Sequence, residues 1–418
     1  MISAEMSIVK SKFMDFNEYK ESPIDFPLWD RIKTNHTMGS ALEPWAWSKV
    51  PNDLVRQAAL TDMPVRVYGL YPTNINDLVK FYEGTILHHS DFSPTPADKS
   101  FNYIRPQFTL IESPKGKMLL VAVTPGHDYV QHYAGIIRYC LHTLGKPDLL
   151  RVFHNVPYER AIADWSGLDK RFIVPNSFVV LGRVKDAQEY LCKHSDMRVI
   201  NQVDSPYYTS THYCFKEKIH LTFLGVKFSF WGDISKFIVK KICELDVKEV
   251  VYLGKLGTLR DPHDIYQSLF SPTSYITLDH LSVRHEVREL PNYIVKLCPY
   301  LDTSVHVSVP TVIGEDFTQR NLAAYMGCQS VDNEISQMAH AVEEHNESVK
   351  IPVLFASLHY ASDYLRKEDE LEKDIQFNLS NHRRSGAQDK IRNVVDKQMR
   401  HFLEYLDHRM GVYTCTCL

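Results

Sequence analysis

The stretch Ser330-Val331-Asp332-Asn333-Glu334-Ile335-Ser336-Gln337-Met338 decides how this chain is read, together with the earlier run Val250-Val251-Tyr252-Leu253-Gly254-Lys255-Leu256-Gly257. The first places carboxylates at the start of a helix, where unpaired N–H groups favour negative charge. In the plainest reading Asp332 caps that helix and Glu334 favours its positive end. The second is a continuous apolar strand, of the kind found in a sheet covered on both faces, and it ends in a Gly-x-x-Gly turn.

Working outward, short apolar runs alternate with helical periodicity. Ser177-Phe178-Val179-Val180-Leu181 reads as a strand that enters Gly182-Arg183-Val184-Lys185-Asp186 and a helix through Cys192. Strands are expected around His212 to Phe215, Ile219 to Phe223 and Val226 to Phe230, the last leading into Trp231-Gly232-Asp233-Ile234-Ser235. The next helix, Lys236 to Leu245, sets Phe237, Ile238, Ile242 and Leu245 on one face. Val305 to Val309 and Val353 to Ala356 are further strands, with the Glu334 helix between them. Arg383 to Arg409 reads as an amphipathic terminal helix packing through Ile391, Val394, Val395, Met399, Phe402 and Leu406. This alternation predicts an α/β fold, a three-layer α/β/α sandwich over residues 171–418.

Residues 1–170 are expected to form an N-terminal α/β extension. Its clearest unit is one βαβ step: a strand at Met118 to Val123, a helix to Leu144, and a strand at Leu149 to Phe153. Residues 1 to about 100 read as an irregular cap with short helices, such as Asn76 to Glu83 after Asn74. Within it, Glu43-Pro44-Trp45-Ala46-Trp47 reads as an aromatic anchor for an irregular segment. His127 and Gln131 share a helical face without a third ligand, so Asp128 is expected to cap its own helix and no metal is expected.

With 418 residues and 44% hydrophobic content the chain can bury two cores. A formal charge of −4 and a pI near 6.6 provide no basic face, so a nucleic acid polymer is not an expected partner. No run has the length of a signal-peptide core or a membrane span, and the eight cysteines are scattered apart from Cys415 and Cys417. The expectation is a soluble cytoplasmic protein with reduced thiols and a frayed tail around Cys415 and Cys417.

From Ser177 to Asp363 the order of pieces resembles the purine/uridine nucleoside phosphorylase superfamily, as a divergent, nucleosidase-like member. The resemblance implies a mixed central sheet of nucleoside-phosphorylase type. The family's Gly-Asp-Pro-x-Arg phosphate loop is matched by Gly182 to Asp186, with Arg183 and Lys185 as displaced cations. Its Gly-Gly-Pro-Ser loop is matched by Phe230 to Ser235, where Gly232 is kept but Phe230 and Trp231 weaken an anion cradle that small residues would form. In the apolar-apolar-Arg-x-Gly-(Ser/Thr)-x-Gly strand, Tyr252 stands for the arginine and Lys255 for the hydroxyl residue, with Gly254 between; a bidentate fork becomes a point charge. Arg183, Lys185 and Lys255 either gather on one anion or are solvated loop charges, with Tyr252 in the core.

The family's Glu-Met-Glu signature falls on Asp332-Asn333-Glu334, which implies that Glu334 holds vicinal ribose hydroxyls. The Ser-Asp strand end, whose aspartate protonates the departing purine, falls on Ser362-Asp363; a second register puts His359 in that place. Phe317 lies where the family stacks an aromatic on the base. The resemblance therefore implies cleavage of the N-glycosidic bond of a purine nucleoside or nucleotide, without a cofactor, in a homo-oligomer. Loss of the arginine and the glycine cradle favours water as acceptor. Phosphorolysis, and an inactive nucleoside-binding scaffold, are the alternatives.

Overall fold

Two sheets organise the chain. The computed structural model describes residues 15–24, 35–71, 74–90, 101–154, 166–296, 300–375, 378 and 386–414; Cys415 and Cys417 lie outside these described residues. The first sheet contains β1 (Lys20–Ser22), β2 (Val65–Gly69), β3 (Thr85–His89), β4 (Gln107–Ser113), β5 (Gly116–Val123) and β6 (Leu150–His154), in the order β1-β6-β2-β5-β4-β3. Helices α1 (Leu42–Trp47), α2 (Asn52–Leu60), α3 (Ile75–Phe81) and α4 (His127–Thr143) accompany it. The expected βαβ step is β5-α4-β6, with β2 lying parallel between its two strands.

β2 corrects the reading of the first hundred residues as an irregular cap. Arg66 interrupts its apolar pattern, yet the strand is internal because that guanidinium lies over the Tyr82 and Phe153 rings, 5.5 and 5.6 Å from their centroids. Likewise, Trp45 and Trp47 belong to a helix rather than an irregular segment.

The second sheet contains β7 (Phe178–Gly182), β8 (Met197–Asp204), β9 (Tyr208–Phe215), β10 (Ile219–Val226), β11 (Glu249–Thr258), β12 (Leu269–Phe270), β13 (Tyr275–Asp279), β14 (Ser282–Val287), β15 (Val305–Ser308), β16 (Cys328–Asp332) and β17 (Leu354–Tyr364). Its main path is β14-β13-β15-β16-β11-β7-β10-β9-β8, with β17 beside β11 and β12. The parallel centre is β10-β7-β11-β17. Its helices are α5 (Val184–His194), α6 (Asp233–Cys243), α7 (Phe317–Tyr325), α8 (Ile335–Asn346) and α9 (Gln388–Thr414). β10 runs on to Val226 and the chain then leaves the sheet, so Val226 to Phe230 is not a separate strand.

Strand periodicity explains the sandwich. On β7 and β11, Val179, Leu181 and Val250 face a core that includes Ile238 and Ile242 of α6 and Met338 and Val342 of α8. The alternate residues Phe178, Val180 and Val251 face a second core with Leu191 of α5 and Met399, Phe402 and Leu406 of α9. Helices thus cover both faces, giving an α/β/α sandwich. The same first core takes in Val67, Val121 and Ile137, so α4 and α6 form a helix layer shared by the two sheets. Among the described residues no helix is long and apolar enough to cross a membrane.

Candidate active site

The strands β7, β11 and β17 end at one edge, and a cavity of about 500 Å³ opens there. Ligands of open α/β sheets bind outside the carboxyl ends of strands, where the chain turns away into loops. Leu181 to Arg183, Tyr252 to Gly257, Ser362 and Asp363 line one side, and Val331 to Glu334 another. The glycine turn and the acidic helix start therefore share a cavity. Gly182 is obligatory: its φ is +86°, and an added Cβ would stand 2.1 Å from the Leu253 carbonyl oxygen.

Within this cavity the two acidic residues of the helix start do different things. Asp332 Oδ1 accepts from His306 Nε2 at 2.8 Å, Ser308 Oγ at 2.6 Å and the Glu334 N–H at 3.1 Å. Its Oδ2 accepts the Ile335 N–H at 3.0 Å. Burial pushes this carboxyl up, but His306 and the hydroxyl of Ser308 outweigh it and hold the group below its usual range. Asp332 is the helix cap. Glu334 is pushed well above the carboxylate range, by burial first and then by the charge and hydrogen bond of Asp332. It keeps its proton, donates it toward Asp332, and lines the cavity within the field of Lys255. Burial and the same two carboxyls push the Tyr252 phenol well up, leaving it a neutral hydroxyl.

Asp363 lines the cavity and accepts from Ser362 Oγ at 2.5 Å. Arg183 also lines it, ion-paired to Asp186 at 3.1 Å and donating to Tyr360 Oη at 3.0 Å. Four sequence candidates, His359, Phe317, Lys185 and Gly232, are not in the cavity wall. His359 is wholly buried behind Gly254, beside the Tyr252 ring, with neither ring nitrogen hydrogen-bonded. Phe317 begins α7 and is buried outside the cavity wall. Lys185 is exposed on α5 near Glu189.

Gly232 faces a side chain of the N-terminal part of the chain. Asp128 Oδ2 accepts the Asp233 N–H at 3.0 Å, and Asp233 accepts the His127 and Asp128 N–H groups at 3.0 and 3.2 Å. The starts of α4 and α6 thus cap one another, and Asp128 caps α6 rather than its own helix. Gly126 and Gly232 permit the approach: a Cβ on either would meet Ile234 at 2.2 Å or Asp128 at 2.5 Å. The helix start that resembles an anion cradle is already filled by the carboxylate of Asp128, which Arg284 also reaches at 3.3 Å.

The remaining wall comes from residues that the sequence reading did not select. Arg105 donates to Asn102 Oδ1 and Ser229 Oγ, and Ser229 donates to Tyr129 Oη. His132 packs against Trp231 with the rings tilted by 30° and centroids 4.5 Å apart, and its Nδ1 lies 2.7 Å from Thr311 Oγ1. Burial, then Lys49, depress His132 to about 3, so the ring is neutral. Tyr129, His132 and Tyr133 fall on adjacent turns of α4; that aromatic clustering is visible in sequence, but nothing local shows that it meets Trp231. Glu315 is a further carboxyl in the wall. Among the described residues no three His, Cys, Asp or Glu side chains converge as a metal site.

No protein-family model matches the chain. Oxidoreductase cns1 of Cordyceps militaris is 26% identical over 361 residues, which are 83% of this chain and 46% of that protein. The chain therefore spans under half the length of this curated relative. Similar solved structures include the Helicobacter pylori MTAN mutant with 5'-methylthioadenosine (11% identity, TM-score 0.39, 56% of this chain and 98% of that one). The Campylobacter jejuni 5'-methylthioadenosine/S-adenosyl homocysteine nucleosidase gives 12%, 0.41, 56% and 99%. The purine nucleoside phosphorylase of Toxoplasma gondii gives 12%, 0.39, 56% and 92%.

Proposed function

We propose that this chain cleaves the N-glycosidic bond of a purine nucleoside or nucleotide by hydrolysis. The observation that carries this reading is the convergence, in one cavity, of the Asp332–Glu334 carboxyl pair, the Gly254-Lys255 turn and Asp363. Asp332, fixed by four donors, orients Glu334, whose second oxygen is left to accept from the sugar hydroxyls while positive charge grows at C1′. The aromatic rings of His132 and Trp231 line the cavity where a base can pack, and a carboxyl of the same wall, at Asp363 or Glu315, supplies the proton that the departing base takes.

Water is preferred over phosphate because the amino end of α6 already holds the Asp128 carboxylate, and a second anion there would meet like charge. The name of the curated relative suggests redox chemistry, but no two glycines of this chain stand in the Gly-x-Gly spacing of a dinucleotide fingerprint. The test is to incubate the full chain with adenosine, inosine, guanosine and AMP, with and without phosphate, and to separate the products. Free base is expected in either buffer, with free ribose from the nucleosides and ribose 5-phosphate from AMP. Ribose 1-phosphate would select phosphorolysis, and no base release from any substrate would reject glycosidic cleavage.

A further inference from the structure

Glu315 is the carboxyl of this cavity that has no structural task. The residue is 8% exposed and lines the cavity, and its side chain has no hydrogen bond to another described side chain, while its backbone carbonyl accepts the Thr37 N–H at 3.2 Å. A buried polar group is ordinarily hydrogen-bonded within the protein, and this one instead lines the cavity, where a bound molecule can reach it. The charged and titratable groups around it are otherwise engaged. Asp316 caps α7 through the Gln319 N–H at 2.7 Å, and Arg320 donates to the Leu259 and Leu365 carbonyls at 3.0 and 2.9 Å. His36, held to Val312 O at 3.0 Å, is kept neutral by burial. Asp363, from β17, is the group whose charge acts on Glu315.

We propose that Glu315, rather than Asp363, carries the proton that leaves with the base, and that the Asp363 carboxylate beside it keeps the proton there until the C1′–N bond breaks. The inference rests on the glycosidic reading above and deepens it. The C1′–N bond breaks with its electron pair going to the base, Glu315 gives its proton to a base nitrogen, and water adds its hydroxide to C1′. The second water proton returns to the carboxyl pair, so atoms and charge balance. Burial, and then Asp363, push the Glu315 carboxyl well above its usual range, which agrees with a group that is protonated before the reaction.

The protonated form is the active one, so turnover is expected to fall as pH rises through the Glu315 value. Glu315→Gln should lower kcat by about 10²- to 10⁴-fold with little change in KM and should abolish that alkaline limb. Asp363→Asn should move the alkaline limb to lower pH, since the charge that holds the proton is gone. The isosteric Gln variant is to be checked for fold by circular dichroism. Infrared difference spectra of the unmodified protein against Glu315→Gln supply a readout that needs no turnover: at neutral pH a protonated carboxyl C=O band assigned to Glu315, over and above those of Glu334 and Glu249, which cancel in the difference. Absence of that band overturns the inference, as does a Glu315→Gln variant within about threefold of the parental kcat. Absence of base release by the unmodified protein overturns the catalytic role together with the glycosidic reading, while the band still reports whether Glu315 holds a proton.

Discussion

Substituting Asp332 by Asn should damage the fold, whereas changes at Glu334 should damage function. Asp332 collects His306, Ser308 and the N–H groups of Glu334 and Ile335, with its side chain 5% exposed. Asn keeps one acceptor oxygen but turns an NH₂ toward donors and removes the charge. Hydrogen bonds to charged groups contribute about 1.5–3 kcal/mol each, and breaking one partner of a buried charged network costs about 3–5 kcal/mol. A loss of about 3 kcal/mol is expected, a large share of the roughly 5–15 kcal/mol available to a folded domain. Because the Asp332 carboxyl is held below its unfolded value of 3.8, its contribution is present above that value and is lost as pH falls through the folded one. The gap between the two proteins should therefore stay constant from neutral pH down to the ordinary aspartate range and close below it. Glu334 already carries a proton, so Glu334→Gln reproduces its donor to Asp332 and should leave stability nearly unchanged and turnover within about tenfold. Glu334→Ala should abolish turnover. Urea unfolding followed by tryptophan fluorescence measures the first effect, and base release the second. An Asp332→Asn protein within about 1 kcal/mol of its parent at neutral pH would refute the capping argument.

Other expectations concern the elements that hold the cavity. Asp233→Ala removes the cap of α4 and loosens that of α6, so it should cost about 1–2 kcal/mol; a cycle with Asp128→Ala should be non-additive, and additive melting shifts would contradict mutual capping. His359→Leu removes a wholly buried ring with no hydrogen-bond partner and should stabilise the protein by about 1 kcal/mol or more while leaving turnover intact; lost turnover in a stable variant would return His359 to the chemistry. Burial pushes Glu249 up to about 7, against the opposing influence of Tyr405 and Arg409. Its folded value exceeds the unfolded 4.5, so its stabilising share is full below 4.5 and is lost as pH rises through 7, about 3 kcal/mol in all. Glu249→Gln should flatten that slope in urea titrations, and an unchanged slope would count against it.

The sheet's parallel centre was legible because burial on both faces writes strands as continuous apolar runs, as in Phe178 to Leu181 and Val250 to Leu253. The terminal helix was legible for the converse reason: Val394, Val395, Met399, Phe402 and Leu406 recur at helical spacing and are buried as a stripe. Two other strands were not. β14 is mostly exposed and polar, and β16 is five residues long with Gln329 and Ser330 inside it, so neither shows the alternation of a half-buried strand. At the site, Arg183, Tyr252, Gly254, Lys255, Asp332, Glu334 and Asp363 were reached through the order of elements, which fixes their strand ends. Arg105, His132 and Glu315 were not, because their neighbours lie on segments remote in sequence.

That last group changes how the N-terminal sheet is to be understood. Its helix α4 does more than cover the second sheet: Asp128 occupies the amino end of α6, and His132, one turn further on, supplies the cavity with a neutral ring. The two contributions are coupled by geometry, since α4 cannot present His132 to Trp231 unless its first turn sits against Gly232 and Asp233. The carboxylate that closes the resembling anion cradle is thus part of the device that builds the aromatic wall. Removing Asp128 would vacate the amino end of α6 and at the same time release the wall. For this reason the N-terminal sheet is part of the site: the cap that Asp128 gives α6 fixes the approach of α4, and with it the Trp231 side of the cavity.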